Sequence, residues 1–175
     1  MLNVLKTRRS VRRYKDQEVS KEQIDILLNA AFTSPSSRNL RSWEFVVVTD
    51  KQLLTQLSQA KPNTAALLKN APLGIVVLGD SQISDMWVED TSIASTIIQL
   101  TAHSIGLASC WIQIRQREHD QNLSAEQYVQ NLLGIPDTKR VLTIIAIGHA
   151  AEFPTPHGDD VYQEAKVHFN QYGVR

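Results

Sequence analysis

Apolar residues recur with a helical period in two segments of the chain. In residues 21–33 they form one stripe of Ile24, Leu27, Leu28, Ala31 and Phe32. Ser20 and Gln23 have the spacing of a capping box, which places the start of a helix directly after Ser20. The same spacing recurs from Ser124 and predicts a second amphipathic helix, which ends before Gly134, a residue suited to the left-handed position that follows a helix.

Four apolar runs predict buried strands, because they are short and rich in β-branched residues. They are EFVVVT at 44–49, LGIVVLG at 73–79, LASCWIQI at 107–114 and VLTIIAIG at 141–148. A helix over residues 85–105 is apolar on most sides and is expected near the centre of the molecule. Strands separated by helices predict an α/β or α+β domain with a buried sheet. We expect residues 1–175 to form one domain, with 150–175 as an irregular tail.

Composition and charge exclude several classes of protein. Glycine and proline number only 13 together and 42% of residues are hydrophobic, which excludes collagen and extended disorder. No apolar stretch is long enough to span a membrane, and none follows the basic N-terminus, so we expect a soluble cytoplasmic protein. The net charge is zero, yet residues 1–15 carry six basic and no acidic side chains. This asymmetry favours a local anion site, although a solvated basic arm would have the same charge.

Familiar catalytic signatures are absent from the sequence. It has no Walker loop, no dinucleotide-binding glycine fingerprint and no nucleophile elbow. Cys110 lies in an apolar run without a neighbouring histidine or cation, so we interpret it as a core residue. His149 and His157 lack the spacing of a zinc site. We find no catalytic side chain and expect no bound metal.

Two polar segments carry the remaining chemical signal. Arg8, Ser10 and Arg12 alternate, so an extended chain would point them to one side, where they suit a phosphate. Residues 34–45, SPSSRNLRSWEF, place hydroxyls and an amide on a loop before a strand. An asparagine amide can donate to and accept from a heterocycle edge. Taken separately, each segment also fits a solvated arm or an ordinary connecting loop.

Taken together, the two segments resemble the nitroreductase family of flavoenzymes. The motifs that carry the resemblance are RRSVR at 8–12, SPSSRNLRSWEF at 34–45, GLASCWI at 106–112, LGIP at 133–136, IGH at 147–149 and KVHFNQY at 166–172. They follow the order of the family over nearly the whole chain. The resemblance therefore rests on several motifs in register, not on one.

The resemblance implies an α+β fold, with a mixed central sheet flanked by helices, in an intertwined homodimer that binds one FMN in each of two interface clefts. The arginines and serine of the first motif would hold the flavin phosphate, ribityl chain and pyrimidine edge. The loop of the other subunit would lie against the isoalloxazine ring, and the tail would embrace the partner. The residues assigned to the flavin in this way are Arg8, Arg9, Ser10, Arg12, Pro35, Ser36, Ser37, Asn39, Trp111, Ile112, Gly148 and His149. Trp111 and Ile112 are also consistent with core positions.

The same resemblance implies an NAD(P)H oxidoreductase that acts on nitroaromatics, quinones or similar flat acceptors. Hydride would pass from NAD(P)H to N5 of FMN and on to the acceptor in ping-pong order, which requires no acid, base or nucleophile of the chain. The expected partners are a second copy and a small-molecule acceptor, with no nucleic acid and no membrane. The alternatives are a non-enzymatic flavin carrier or sensor that uses the same cleft, and a nucleic-acid-binding arm.

Three positions depart from the family pattern. Leu40-Arg41-Ser42 stands where members commonly have Gln-Pro after the loop asparagine. A basic pair usually follows the last strand, whereas residues 150–162 offer only His157. His149 stands in place of the usual tyrosine. Arg13 and Arg41 are the cations that could compensate for the missing basic pair.

Overall fold

The computed structural model describes residues 1–62, 64–158 and 161–174. An antiparallel sheet lies at its centre. Its strands are β1 (Trp43–Val48), β2 (Leu73–Asp80), β3 (Ala108–Gln113) and β4 (Lys139–Gly148). They lie in the order β1-β2-β4-β3, and each neighbouring pair is antiparallel. The parallel pairing expected of a mixed sheet is limited, within the described residues, to an isolated bridge between Ser10 and Ser109. The α+β class is confirmed.

Helices surround the sheet, and the three that the sequence analysis predicts begin and end close to the expected positions. The helices are α1 (Leu2–Thr7), α2 (Lys21–Phe32), α3 (Lys51–Leu57), α4 (Trp87–Ser104) and α5 (Ala125–Leu133), with 3₁₀ turns at Ser37–Asn39, Ala66–Asn70 and Glu164–Lys166. Both capping boxes form, since Ser20 and Ser124 each accept the expected backbone N–H. Gly134 has a φ of 66°, as a helix-terminating residue should. The pattern did not predict α1, because six residues are too few to show a helical period.

The hydrophobic core lies on both faces of the sheet. In β2, Val76 and Leu78 pack with residues of α3 and α5, whereas Ile75 and Val77 pack with residues of α2 and α4. Every residue of β2 is buried, because alternate side chains enter different halves of the core. This explains why the strand is a continuous apolar run in the sequence.

Helix α4 crosses one face of the sheet, and its two ends reach different parts of the molecule. Its 18 residues correspond to about 27 Å of helix. Near its start, the Asp90 carboxylate accepts the backbone N–H of Ser37 at 2.8 Å. In its last turn, the His103 ring is hydrogen-bonded to the Thr7 hydroxyl at 2.7 Å. The loop after α2 and the last residue of α1 are therefore held at opposite ends of the same helix.

The tail divides into two parts. Residues 150–158 fold back along the N-terminal segment, where the N–H of Ala151 donates to the Arg13 carbonyl and that of His157 to the Lys6 carbonyl. Further on, exposed apolar side chains stand out from the chain, at Val161, Tyr162, Phe169, Tyr172 and Val174. No helix in the described ranges combines the length and the apolar character needed to cross a membrane.

Candidate functional site

The basic segment 8–15, called the arm below, is an extended chain fixed to the edge of the sheet. The N–H of Val11 donates to the Ser109 carbonyl at 3.1 Å, and that of Lys15 donates to the His149 carbonyl at 2.9 Å. Val11 and Tyr14 are buried in the core, which leaves the side chains between them exposed. The strict alternation predicted from the sequence is not seen, since Arg9 and Arg13 line the same cavity as Arg8, Ser10 and Arg12.

The arm forms one wall of a cavity of about 680 Å³ that is lined mainly by cationic side chains. Its lining residues are Arg8, Arg9, Ser10, Arg12, Arg13, Glu152, Pro154 and His157. The structure thus brings together all four residues that the sequence assigns to the arm half of the site. It also adds Arg13 and His157, whereas Arg41 does not line this cavity. Guanidinium groups around a serine hydroxyl are a suitable set of donors for a phosphate.

The first residues after β4 close the cavity from the other side. The Glu152 carboxylate accepts the backbone N–H of Arg12 at 2.6 Å and lies 3.8 Å from Nε of Arg13. The Arg9 guanidinium donates to the carbonyl oxygen of Thr155. Sequence reasoning missed Glu152, because no local pattern indicates that a residue so far along the chain returns to the arm.

An adjoining cavity of about 480 Å³ is more apolar and reaches the end of α4. Leu107, Ala108, Phe153 and Pro154 line it together with His103, and Arg8 and Arg9 belong to both cavities. An elongated ligand with an anionic end and an apolar body would match this pair of spaces. The sequence offered no signal for the apolar part, because its residues are scattered along the chain.

The four predicted residues on β3 and at the end of β4 have different surroundings. Gly148 is closely packed, since a Cβ atom there would lie 2.6 Å from Cδ of Pro72. His149 is paired to the arm through its carbonyl oxygen. Ile112 is 2% exposed and belongs to the core, while half-buried Trp111 packs against the other half of the core and donates its indole N–H to Gln113. Neither Trp111 nor Ile112 lines the two arm cavities, so these two positions match the core interpretation more closely.

The second polar segment, residues 34–41, is a tight loop between α2 and β1, called the loop below. Arg38, Asn39 and Arg41 have φ values of 51°, 56° and 49°, in the left-handed region that side chains other than glycine rarely adopt. A conformation of this kind persists only where its surroundings impose it, and it is common at functional sites. Pro35 comes directly before Ser36 and Ser37, and Ser37 begins the 3₁₀ turn.

A buried carboxylate holds the loop in place. Asp90 is 2% exposed, and its two oxygens accept the N–H of Ser37 at 2.8 Å and the hydroxyl of Ser84 at 3.2 Å. Sequence reasoning missed Asp90, although an acidic residue inside an otherwise apolar helix is a signal that could have identified it. Within the described residues, the hydroxyls of Ser34 and Ser42, at the two ends of the loop, are buried without a hydrogen-bond partner.

The arm and the loop lie far apart in one chain. Asp90 beside the loop and His103 beside the arm cavities are separated on α4 by a helical rise of about 20 Å. The structure therefore brings together the arm half of the predicted site and, separately, the loop half. It does not bring the two halves to one place within a single subunit.

Within the part of the chain that the structure describes, neither a reactive thiolate nor a metal-binding cluster accompanies these segments. Cys110 is buried, and burial raises the pKa of its thiol, so a thiolate is disfavoured there. Burial also raises the pKa of Tyr14, whose hydroxyl donates to the Val11 carbonyl. The described residues contain no group of three or more His, Cys, Asp or Glu side chains that could hold a metal ion.

Comparisons with known proteins agree along almost the whole chain. The model of the nitroreductase family matches residues 5–67 and 55–149. An FMN-dependent nitroreductase from Clostridium difficile R20291 has a solved structure with a TM-score of 0.96 and 47% identity, covering 98% of this chain and 100% of that one. A protein of Methanothermobacter thermautotrophicus, whose name proposes an NADH dehydrogenase/NAD(P)H nitroreductase, is 35% identical over 98% of this chain and 87% of its own length.

A second solved structure agrees with the first. It comes from Parabacteroides distasonis, and its name proposes the same pair of activities. Its TM-score is 0.89 at 35% identity, and the match covers 98% of both chains.

Proposed function

Because this chain belongs to the nitroreductase family, we propose that it transfers hydride from NAD(P)H, by way of FMN, to a nitroaromatic, a quinone or a similar flat acceptor. The chain is an NAD(P)H-dependent oxidoreductase, and FMN is its cofactor. We further propose which residues hold FMN, how many subunits contribute to each site and which class of acceptor is reduced.

The observation that carries this proposal is the convergence of Arg8, Arg9, Ser10 and Arg12 in one cavity. Their guanidinium and hydroxyl donors fit a phosphate, and the adjoining apolar cavity offers space for the rest of an elongated cofactor. Among these residues, an arginine at the pyrimidine edge would stabilise negative charge that develops there. We assign the arm to the phosphate, the ribityl chain and this edge.

We assign the loop to a flavin held mainly by the other subunit. The pyrimidine edge is one edge of the isoalloxazine ring, so residues that contact the edge and the face of the ring must lie close together. In one chain, Asp90 beside the loop and His103 beside the arm cavities are separated by about 20 Å along α4. A homodimer resolves this separation if each cleft takes its arm from one subunit and its loop from the other. The exposed Phe169 and Tyr172 support such a dimer, because the tail would bury them by embracing the partner.

The chain's own residues bind and orient in this reaction. When bound, FMN supplies hydride-transfer chemistry, so the absence of a nucleophile or metal cluster among the described residues is consistent with the activity. Pro35, Ser36, Ser37 and Asn39 would form the surface against which the ring and a flat acceptor lie. His149 holds the arm through the backbone hydrogen bond from Lys15, and Gly148 leaves room for the Tyr14 ring of the arm, so both help to set the position of its cations.

The visible absorption spectrum of the purified protein, before and after anaerobic addition of NADH or NADPH, tests this function. We expect the absorption of bound flavin, and we expect one of the nucleotides to bleach it. Reoxidation by a nitroaromatic or quinone should then restore the spectrum. A bound flavin that neither nucleotide bleaches would favour the flavin carrier, and a colourless protein that takes up no FMN would contradict the assignment of the arm.

A further inference from the structure

Arg41 stands on the loop where the family resemblance leads one to expect an uncharged residue. Its backbone N–H donates to Oγ of Ser36 at 3.1 Å, and its Nε donates to Oδ1 of Asn39 at 2.9 Å. Its guanidinium is thus hydrogen-bonded directly to the amide that we assign to the flavin ring. At Arg41 φ is 49°, so the loop holds the backbone of this residue in the left-handed region.

The two arginines of the loop differ in their electrostatic partners. Arg38 is ion-paired with Asp85. Arg41 has no carboxylate partner among the residues that the structure describes, and its side chain is exposed. The nearby Glu44, at the start of β1, is ion-paired with Lys139. The positive charge of Arg41 is therefore not neutralised by a neighbouring side chain, whereas that of Arg38 is.

The hydrogen bond to Asn39 leaves the terminal nitrogens of the Arg41 guanidinium available. These nitrogens can bind two oxygens of a carboxylate, sulfonate or phosphate at once, which a lysine ammonium cannot match in geometry. The bond at Nε also limits the rotation of the side chain, so less conformational freedom is lost when an anion binds. An uncharged glutamine at this position would offer neither the charge nor the paired donors.

We propose that Arg41 binds an anionic oxygen group on the molecule that occupies the cleft over the flavin ring, and that it thereby gives this enzyme a preference for anionic substrates. This inference rests on the proposed function, since it places Asn39 at the ring. The anionic group has two possible sources. It belongs either to the acceptor, as a ring carboxylate, or to the nucleotide, as the additional phosphate that distinguishes NADPH from NADH.

The test measures the two half-reactions separately by anaerobic stopped-flow absorbance, with each rate constant expressed per bound flavin. For the acceptor, the ratio of second-order rate constants is measured for para-nitrobenzoate over the uncharged para-nitrobenzyl alcohol. For the donor, it is measured for NADPH over NADH. The variants are Arg41→Gln, Arg41→Lys and, as the matched control on the same loop, Arg38→Gln.

We expect Arg41→Gln to lower one of these two ratios about fivefold, the factor that corresponds to about 1 kcal/mol for a partly exposed ion pair. Arg41→Lys should recover part of the ratio, and Arg38→Gln should keep the wild-type value. Raising the salt concentration should reduce the wild-type ratio towards that of Arg41→Gln. The half-reaction whose ratio changes identifies the acceptor or the nucleotide as the source of the anion.

Two results would overturn the inference. If both ratios are the same in the wild type and in Arg41→Gln, the charge is not used. If Arg41→Gln slows charged and uncharged substrates by the same factor, Arg41 acts only by orienting Asn39. Failure of the proposed function is distinguishable from either result, because the wild-type protein would then hold no flavin or would show no hydride transfer from either nucleotide.

Discussion

The arm and the loop are both polar segments joined to the same sheet, but they are built in different ways. The arm is extended, is paired to β3 and β4 through backbone hydrogen bonds, and presents several cations to open cavities. The loop is folded tightly, contains three left-handed residues, and is anchored by the buried Asp90. An extended segment of cations suits a flexible, highly charged part of a ligand, whereas a rigid loop suits the face of a flat ring.

The positions of the two segments are as informative as their chemistry. Each lies at one end of α4, and in the proposed function each provides one half of a flavin site. If the two segments are halves of one site, a second copy of the chain is needed to bring them together. The comparison therefore predicts that damage to the arm and damage to the loop have different signatures.

The largest effect is expected from Arg12→Ala, which removes a cation from the arm cavity. The loss of charge-assisted hydrogen bonds should weaken FMN binding by about 1.5–3 kcal/mol, or roughly 10- to 150-fold. The protein should purify folded but with little flavin, as measured by absorbance and by the dissociation constant from fluorescence quenching. Arg117→Ala, at an exposed arginine outside the cavity, is the control. Normal flavin occupancy in both Arg12→Ala and Arg8→Ala would refute the assignment of the arm.

Asp90→Ala should affect the loop and leave the arm intact. The substitution removes the acceptor of the Ser37 N–H from a buried position, so the free energy of unfolding should fall by about 2 kcal/mol. Chemical denaturation measures this loss, and the rate of turnover should fall with it. Asp85→Ala, which removes an exposed carboxylate of the same region, should cost much less. Equal losses in the two variants would show that Asp90 does not anchor the loop.

Asn39→Ala probes the loop without disturbing its anchor. We expect turnover per bound flavin to fall about tenfold, the effect of about 1.4 kcal/mol on the barrier, because the substitution removes the amide that the proposed function assigns to the ring. Flavin content should stay close to the wild-type value, whereas the thermal midpoint should fall slightly, because alanine tolerates the left-handed φ of 56° less well than asparagine. Steady-state kinetics with a single quinone acceptor checks the prediction, and an unchanged rate would remove Asn39 from the site.

Glu152→Gln is expected to have the smallest effect, and it should strengthen FMN binding, which Arg12→Ala weakens. The glutamine can still accept the N–H of Arg12, but the cavity loses a negative charge that competes with a phosphate for the cations. FMN should bind about two- to fivefold more tightly, and the gain should shrink at high salt. Titration calorimetry with FMN at two salt concentrations measures both trends. Weaker binding would mean that Glu152 contributes more to FMN binding by stabilising the structure of the cavity than it costs by repelling the phosphate.

Much of the fold could be predicted from the sequence, because local signals decide it. The capping boxes at Ser20 and Ser124 place helix starts, and the apolar runs place the buried strands. The arm half of the candidate site was predictable because its residues are contiguous. Glu152 and Asp90 were not predicted, since their roles depend on contacts between segments distant in sequence. For Trp111 and Ile112 the motif left both the flavin and the core open, because a matching motif does not reveal which way a strand's side chains point.

The central claim, that each flavin cleft takes its arm from one subunit and its loop from the other, can be tested most directly by complementation. Arg12→Ala and Asn39→Ala subunits carrying different affinity tags are co-expressed, and the doubly tagged heterodimer is isolated. If the site is shared, one of its two clefts combines an intact arm with an intact loop, and we expect about half of the wild-type turnover. If each site lies within one subunit, turnover will not exceed the mean of the two parent variants, and that result would contradict the account.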